Sequence, residues 1–469
     1  EKKAKIIATL GPAIYSTAKI KQLINLGVDA FRINFSHDLT NIKKIIQQIR
    51  SLEKKTSKNV SIIGDLQGVK IRIGRFKKKN QVIKKNQFFS FDLKNKLGDK
   101  NRVTLPYPKL LKKIKKNHII LVDDGKYAFK VIKRNSLSVI TKNLSQDFTI
   151  SDMKSVHIKN LSIPFNNFTK KDKLDIKLAK KLGCEWVALS YVENAKLIYK
   201  AKKLLGKNIG IISKIENKLA VKNIEEIIKA SDAIMVARGD LALDVGHSEV
   251  PKIQLGIIKK CNNNSKPVIV ATQMLESMIN NFTATRAEIN DIATAIFQGA
   301  DTVMLSAETA VGKYPVQAVK TMFKTIVSTE AYKKEHIEDF KSSIKVKRDP
   351  IKSIVLSVKD LAYNPSVKAI IAFSNSGTTA KLVSAVRPRV KIITISPNII
   401  VSRQMSLLWG VQSIKSKDAN GWKDMINISR QIIKKDKSIK KNDFVIITAG
   451  LPFGNATMTN MIRLYKVGS

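Results

Sequence analysis

The feature that most constrains this chain is an alternation of short apolar runs and amphipathic stretches that stops once and then resumes. β-Branched apolar runs begin at Lys5, Ala30, Val60, Trp186, Gly210, Ala233, Pro267 and Thr302, and helical periodicity follows them. Runs that are apolar at nearly every position suit parallel strands buried on both faces, and helical connections between them suit crossovers. Eight such runs predict an α/β protein, a (β/α)8 TIM barrel, with a doubly wound open sheet as the alternative. The interruption, residues 69 to about 161, contains Ile71–Gly74, Phe88–Leu93, Ile119–Val122, Ala128–Ile132 and Ser138–Thr141 as short strands. Turn residues such as Asp123-Asp124-Gly125 separate them, which predicts an inserted all-β lid domain. A charged segment, Lys333–Asp349, reads as a connection, and strands at Ala369–Phe373, Val390–Ile395 and Phe444–Ile447 announce a C-terminal α/β domain. The expected organisation is a barrel from 1–67 and 162–335, a lid from 68–161 and a C-terminal effector or interface domain from 336–469.

Composition matters at two points. The 43% hydrophobic content suits a globular chain, and no apolar run reaches the length of a membrane helix. The only cysteines are Cys184 and Cys261, and no charged-then-apolar leader follows Glu1. A reducing, cytoplasmic location is therefore expected, without a disulfide frame or zinc site. The net charge of +48 invites a polyanion-binding reading. Its lysines, however, are scattered through every segment and lack interleaved arginine and aromatic residues, so a solvated surface is expected and nucleic acid is not.

In a barrel the loops at the strand ends build the site, and polar residues collect there in this sequence. Run two ends with Arg32, Asn34 and Ser36 on one side. Run three ends at Asp65-Leu66-Gln67, with Arg72 beyond it. Run five brings Lys214 and Glu216 to one side of a strand, since they stand two apart. Runs six, seven and eight end in Arg238-Gly239-Asp240, Thr272-Gln273 and Ser306-Ala307-Glu308. Cations aimed at one place suit phosphate or carboxylate, while Glu216 and Asp240 are hard oxygen donors suited to Mg²⁺. The five histidines are scattered and suggest no catalytic role. These are parts for phosphoryl transfer or enolate stabilisation.

The motifs that carry a resemblance are long: Lys5-Ile-Ile-Ala-Thr-Leu-Gly-Pro-Ala13, Arg32–His37, Ile212-Ser-Lys-Ile-Glu-Asn217 and Met235–Leu241. To these add Ala271–Met278, Ala284–Glu288 and Met304–Thr309. Over nearly its whole length the chain resembles the pyruvate kinase family. The resemblance implies transfer of a phosphoryl group from phosphoenolpyruvate to ADP, with Mg²⁺ or Mn²⁺ as cofactor. Arg32 would hold the substrate phosphate and Lys214 the phosphoryl group in transfer. Glu216 and Asp240 would bind the divalent metal, and Gly239, Asp240 and Thr272 would seat the carboxylate. Thr272 and Ser306 would help deliver a proton. Asn34, Phe35, Ser36, His37, Arg72 and Lys154 would contact the nucleotide.

The family's potassium site corresponds to Asn34, Ser36, Asp65 and the carbonyl of Leu66. Lys70 stands where potassium-dependent members carry Glu, which implies that an ammonium group replaces the cation and that K⁺ is not required. Other departures are Val69 for Pro, Ala242 and Ala307 for Gly, and Asp244 for Glu. Ser374, Asn375, Ser376, Gly377, Thr378 and Thr379 resemble an effector phosphate loop, so a phosphorylated allosteric effector is expected. Gly450–Thr457 resembles a shortened second effector loop. A homotetramer is implied by the resemblance alone.

Overall fold

The protein is described from a computed structural model covering residues 2–37, 39–159, 161, 167–336, 350–419, 421–451 and 458–468. The eight apolar runs form a closed parallel barrel of strands Lys5–Thr9, Ala30–Asn34, Ser61–Asp65, Trp186–Leu189, Gly210–Ile215, Ala233–Ala237, Val268–Ala271 and Thr302–Leu305. The last strand returns to the first, with Thr302 opposite Lys5, which excludes the open doubly wound sheet. Strand side chains alternate between two buried layers. Ile7, Ile63, Ile212, Met235, Ile269 and Met304 fill the barrel interior, while Ile6, Phe31, Ile62 and Ile234 pack outward against the helices. Continuous apolar runs follow from burial on both faces.

Between the third and fourth barrel strands lie two separate sheets. One is two-stranded, Asn80–Ile83 with Phe148–Ser151. The other is six-stranded, in the order Val156–Ile158, Ile119–Val122, Tyr127–Arg134, Ser138–Asn143, Phe88–Asp92 and Arg102–Thr104. Their core is distinct from the barrel's and is built on Phe89, Phe91 and Phe129. The expected strand at Ile71–Gly74 is reduced to one bridge between Arg72 and Ser155, because its backbone bonds are split between two lid segments, Met153–Val156 and Thr104.

The C-terminal sheet has five strands in the order Val411–Lys415, Lys391–Ser396, Val367–Phe373, Phe444–Ala449 and Met461–Lys466, the last one antiparallel. This domain docks on the N-terminal end of the barrel. Leu407 is fully buried with the barrel-interior residues, and its carbonyl accepts from Thr302 Oγ1 at 3.0 Å. Lys5 Nζ donates to the Val411 carbonyl at 2.7 Å. Arg403 reaches the barrel carboxylates Glu53, at 2.8 Å, and Glu185, at 3.4 Å, and Arg50 holds Glu185 at 2.6 Å. The opposite, C-terminal end of the barrel is left to the lid. The expected connection at Lys333–Asp349 begins as the last turn of the helix Pro315–His336; its remainder lies outside the described residues, as does most of Gly450–Thr457.

Candidate active site

The strand ends converge as their sequence positions require. Asp65, at the end of strand three, is buried between two cations: Arg32 Nε lies 2.7 Å from Oδ2 and Lys214 Nζ 3.3 Å from Oδ1. Lys214 also lies 3.0 Å from Glu216, the residue two along on the same strand, and donates to Ser190 Oγ at 2.8 Å. Burial opposes the ammonium charge of Lys214, but Asp65 and Glu216 outweigh it and lift its pKa well above the ordinary lysine value. Lys214 therefore remains a fixed cation at neutral pH. Glu216 is pushed up by burial and by the nearby Asp240 carboxylate, against the pull of Lys214.

Backbone geometry concentrates at the same end. Thr272 and Gln273 have φ of 70° and 53°, and Tyr191 has 53°, left-handed values uncommon for residues with side chains. Thr272 is held there from two sides. Its Oγ1 accepts from the Gly239 amide at 2.8 Å, and its carbonyl accepts from Arg238 Nη2 at 2.7 Å. Arg238 is anchored in turn by Asp291 at 2.7 Å. Ser306 has a buried Oγ with no hydrogen-bond partner among the described residues, while its amide donates to Glu308 at 2.6 Å.

Arg32, Lys214, Glu216, Gly239, Asp240, Thr272 and Ser306 thus sit on the end of the barrel that the lid covers. Ser36 and His37 lie exposed on the loop after strand two, whereas the Phe35 ring is buried in the outer apolar layer. Arg72 and Lys154 belong to the lid side, where Arg72 Nη1 donates to the Met153 carbonyl at 2.7 Å and Lys154 pairs with Asp123 at 2.9 Å. Three of the potassium-site equivalents already have protein partners. Asn34 Oδ1 accepts from the Ser36 amide at 3.1 Å, Asp65 Oδ2 from Arg32 Nε at 2.7 Å, with Oδ1 paired ionically to Lys214 at 3.3 Å, and the Leu66 carbonyl from Ser190 Oγ at 2.7 Å. Lys70 places its ammonium 3.1 Å from Asp124 and 3.9 Å from Asp240.

The donor set fits a divalent ion of the magnesium type. Among the described residues no group of three or more His, Cys, Asp or Glu gathers into a metal cage. Glu216 and Asp240 instead offer two hard carboxylates close enough that Asp240 raises the Glu216 pKa. Two carboxylates with room for substrate oxygens and water are the usual protein share of a Mg²⁺ site.

Four participants are not singled out by sequence: Ser190, Asp123, Asp124 and Thr9. Ser190 touches Lys214, and Asp123 and Asp124 pair with the lid and hinge lysines. Ser190 follows strand four, and Thr9, which ends strand one, accepts from Arg32 Nη1 at 3.2 Å. In the C-terminal domain, Ser374–Thr379 joins strand Val367–Phe373 to the helix Thr378–Ala385. Gly377 caps that helix at φ 81°, Ser376 and Thr378 hydroxyls meet at 2.9 Å, and Thr379 bonds Thr459 at 2.9 Å.

A closed (β/α)8 barrel that gathers fixed cations and paired carboxylates under a β lid defines a barrel phosphotransferase. Comparison with known proteins narrows this. Residues 1–319 match the model of the pyruvate kinase barrel domain, and residues 352–465 that of the pyruvate kinase alpha/beta domain. A pyruvate kinase of Agrobacterium vitis is 34% identical over 100% of this chain and 97% of its own length. One of Geobacillus stearothermophilus is 36% identical, covering all of this chain and 81% of the relative. The crystal structure of a Cryptosporidium parvum pyruvate kinase superposes with a TM-score of 0.91 at 30% identity, covering 99% of this chain and 96% of that one. The chain belongs to the pyruvate kinase family.

Proposed function

We propose that this enzyme transfers the phosphoryl group of phosphoenolpyruvate to ADP, giving pyruvate and ATP, and that it does so with Mg²⁺ and without K⁺. The observation that carries the reading is the Lys214 ammonium, fixed between Asp65 and Glu216 beside Arg32. In this reading Arg32 binds the substrate phosphate and Lys214 stabilises the charge spread over the phosphoryl oxygens in transfer. Gly239, Asp240 and Thr272 orient the carboxylate, and the strained Thr272 backbone is held in place before substrate arrives. Ser306 Oγ and Thr272 position the proton that the enolate collects. Asn34, Ser36, His37, Arg72 and Lys154 line the nucleotide approach. When bound by Glu216 and Asp240, the metal supplies Lewis-acid charge at the phosphate and enolate oxygens. Lys70 contributes a resident positive charge beside Asp240, in place of a potassium ion.

The same reading assigns the barrel to 1–67 and 162–335, the lid to 68–161 and the effector or interface domain to 336–469. It takes the loop Ser374–Thr379 as a phosphate cradle and the working form as a homotetramer. No described helix is long and apolar enough to cross a membrane.

The test is pyruvate formation from phosphoenolpyruvate and ADP with Mg²⁺, in sodium buffer and again with added potassium. Comparable turnover in both buffers is expected. Turnover only with potassium would overturn the role of Lys70, and a steep, salt-dependent affinity for nucleic acid without turnover would favour a polyanion-binding protein instead.

A further inference from the structure

We propose that Ser190 is a positioning residue for phosphoryl transfer: its hydroxyl turns the Lys214 ammonium so that one N–H is left directed at the phosphoryl group. The inference rests on the reading of Lys214 as the cation that stabilises that group. Lys214 Nζ has three close oxygen neighbours among the described residues. Ser190 Oγ accepts from it at 2.8 Å, Glu216 Oε1 lies at 3.0 Å, and Asp65 Oδ1 lies at 3.3 Å, the last outside hydrogen-bonding geometry. The carboxylates decide where the charge sits, because Coulomb attraction depends on distance alone. A hydrogen bond also depends on angle, so the serine decides how the ammonium is turned. An ammonium carries three hydrogens and no lone pair. With two of them facing Ser190 and Glu216, tetrahedral geometry fixes the direction of the third, which is left for the substrate.

The serine is itself held. Its one hydroxyl hydrogen goes to the Leu66 carbonyl at 2.7 Å, so only lone pairs face Lys214. Leu66 is anchored in turn, its amide donating to the Ala188 carbonyl at 3.0 Å. On another side Gly68 packs so tightly that a Cβ there would lie 2.7 Å from Ser190 Cβ. Ser190 is thus confined as well as bonded, and it is buried. Strand register brings it to its partner, since Leu189 pairs with Ser213, and each next residue lies at the strand end. The following residue completes the arrangement. Tyr191 sits at φ 53°, and its amide donates to Glu216 Oε2 at 2.5 Å. Two consecutive residues after strand four therefore orient the charged pair at the end of strand five, Ser190 the ammonium and Tyr191 the carboxylate. An ammonium free to turn would still attract the phosphate of the bound substrate through its charge. It would lose the directed bond that strengthens as charge spreads over the phosphoryl oxygens, so the effect falls on kcat and spares KM.

The experiment compares the wild-type enzyme with Ser190→Ala, which removes the acceptor, and Ser190→Cys, which nearly keeps its shape but accepts weakly. Measured are kcat, KM for phosphoenolpyruvate, KM for ADP, and the position of Lys214 Nζ in crystal structures of all three. In both variants kcat is expected to fall about tenfold with each KM within about twofold, and the ammonium to turn away from position 190. A wild-type kcat in Ser190→Ala would overturn the proposal. So would a wild-type kcat in Ser190→Cys beside a low one in Ser190→Ala, since shape and not the acceptor would then matter. A raised KM for ADP at unchanged kcat would overturn it too, assigning Ser190 to the Leu66 carbonyl instead. If circular dichroism shows Ser190→Ala unfolded, Ser190→Cys decides. Absence of turnover in the wild type would strike at the proposed reaction, while the crystal structures would still test the orientation, an unmoved Lys214 Nζ overturning it.

Discussion

Asp65 is the residue on which both site cations meet, and its removal has two separable effects. In Asp65→Asn, Arg32 and Lys214 face each other without their shared counter-ion. Turnover at saturating substrate is expected to fall about 100-fold, and urea unfolding to show a loss of about 3 kcal/mol. Burial pushes the Asp65 carboxyl up, but Lys214 and Arg32 outweigh it and hold it below the usual range. A lowered acid contributes stability that is present above its unfolded value and lost as pH falls through the folded one. Below pH about 4, wild-type stability should therefore fall more steeply than that of Asp65→Asn, as acid titration followed by circular dichroism would show. Much of this was legible at the level of single residues. Lys214 and Glu216 are two apart on a strand, so a shared side followed from the pleat, and they meet at 3.0 Å. Ser190 was not read because strand four ends in a serine without a neighbouring charge to mark it. The contact of His157 with Asp244 was invisible for a different reason: the two are 87 residues apart, on different domains.

At the scale of elements, the helix Arg238–Val245 has two occupations. Its first turn carries Asp240, and its last carries Leu243 and Asp244, on which the lid rests. Gly125→Ala places a Cβ against Leu243 and strains a positive φ, so the closed lid is penalised. KM for ADP is expected to rise about fivefold; an unchanged KM would show that the lid turn yields freely. Elements with a strong period are legible in the sequence, and Gly210–Ile215 and Ala233–Ala237 fall on their expected bounds. The short strands Asn80–Ile83, Arg102–Thr104 and Met461–Lys466 were not. They are polar and partly exposed, their pairing comes from neighbours distant in sequence, and local periodicity does not encode that.

At the scale of the whole molecule, the C-terminal domain is fastened by an apolar plug at Leu407, by the Arg403 ionic cluster and by a buried pair of Arg387 with Asp301 at 3.0 Å. Arg403→Ala leaves Glu53 without its partner from that domain and Glu185 with Arg50 alone. A loss of about 2 kcal/mol is expected in chemical denaturation at neutral pH. Burial holds the Glu185 carboxyl above its usual range despite Arg50 and Arg403. A raised acid stabilises at low pH and costs stability as pH rises, so the deficit of Arg403→Ala should shrink in mild acid. None of these fastenings could be read from sequence, since Leu407 is one leucine among many and the ion pairs join residues far apart in the chain.

The seam of the barrel has a consequence for how the chain comes to be folded. The first strand pairs with one that begins at Thr302, and the third pairs with one that begins beyond the whole lid, Ile63 opposite Trp186. During synthesis the first three strands emerge early and wait, with an open apolar edge on each side, until most of the chain has left the ribosome. The lid, with its own aromatic core, has no such dependence and can collapse first. Nascent chains stalled before Thr302 should thus hold a folded lid on an unclosed barrel, the stage at which this molecule most needs a chaperone.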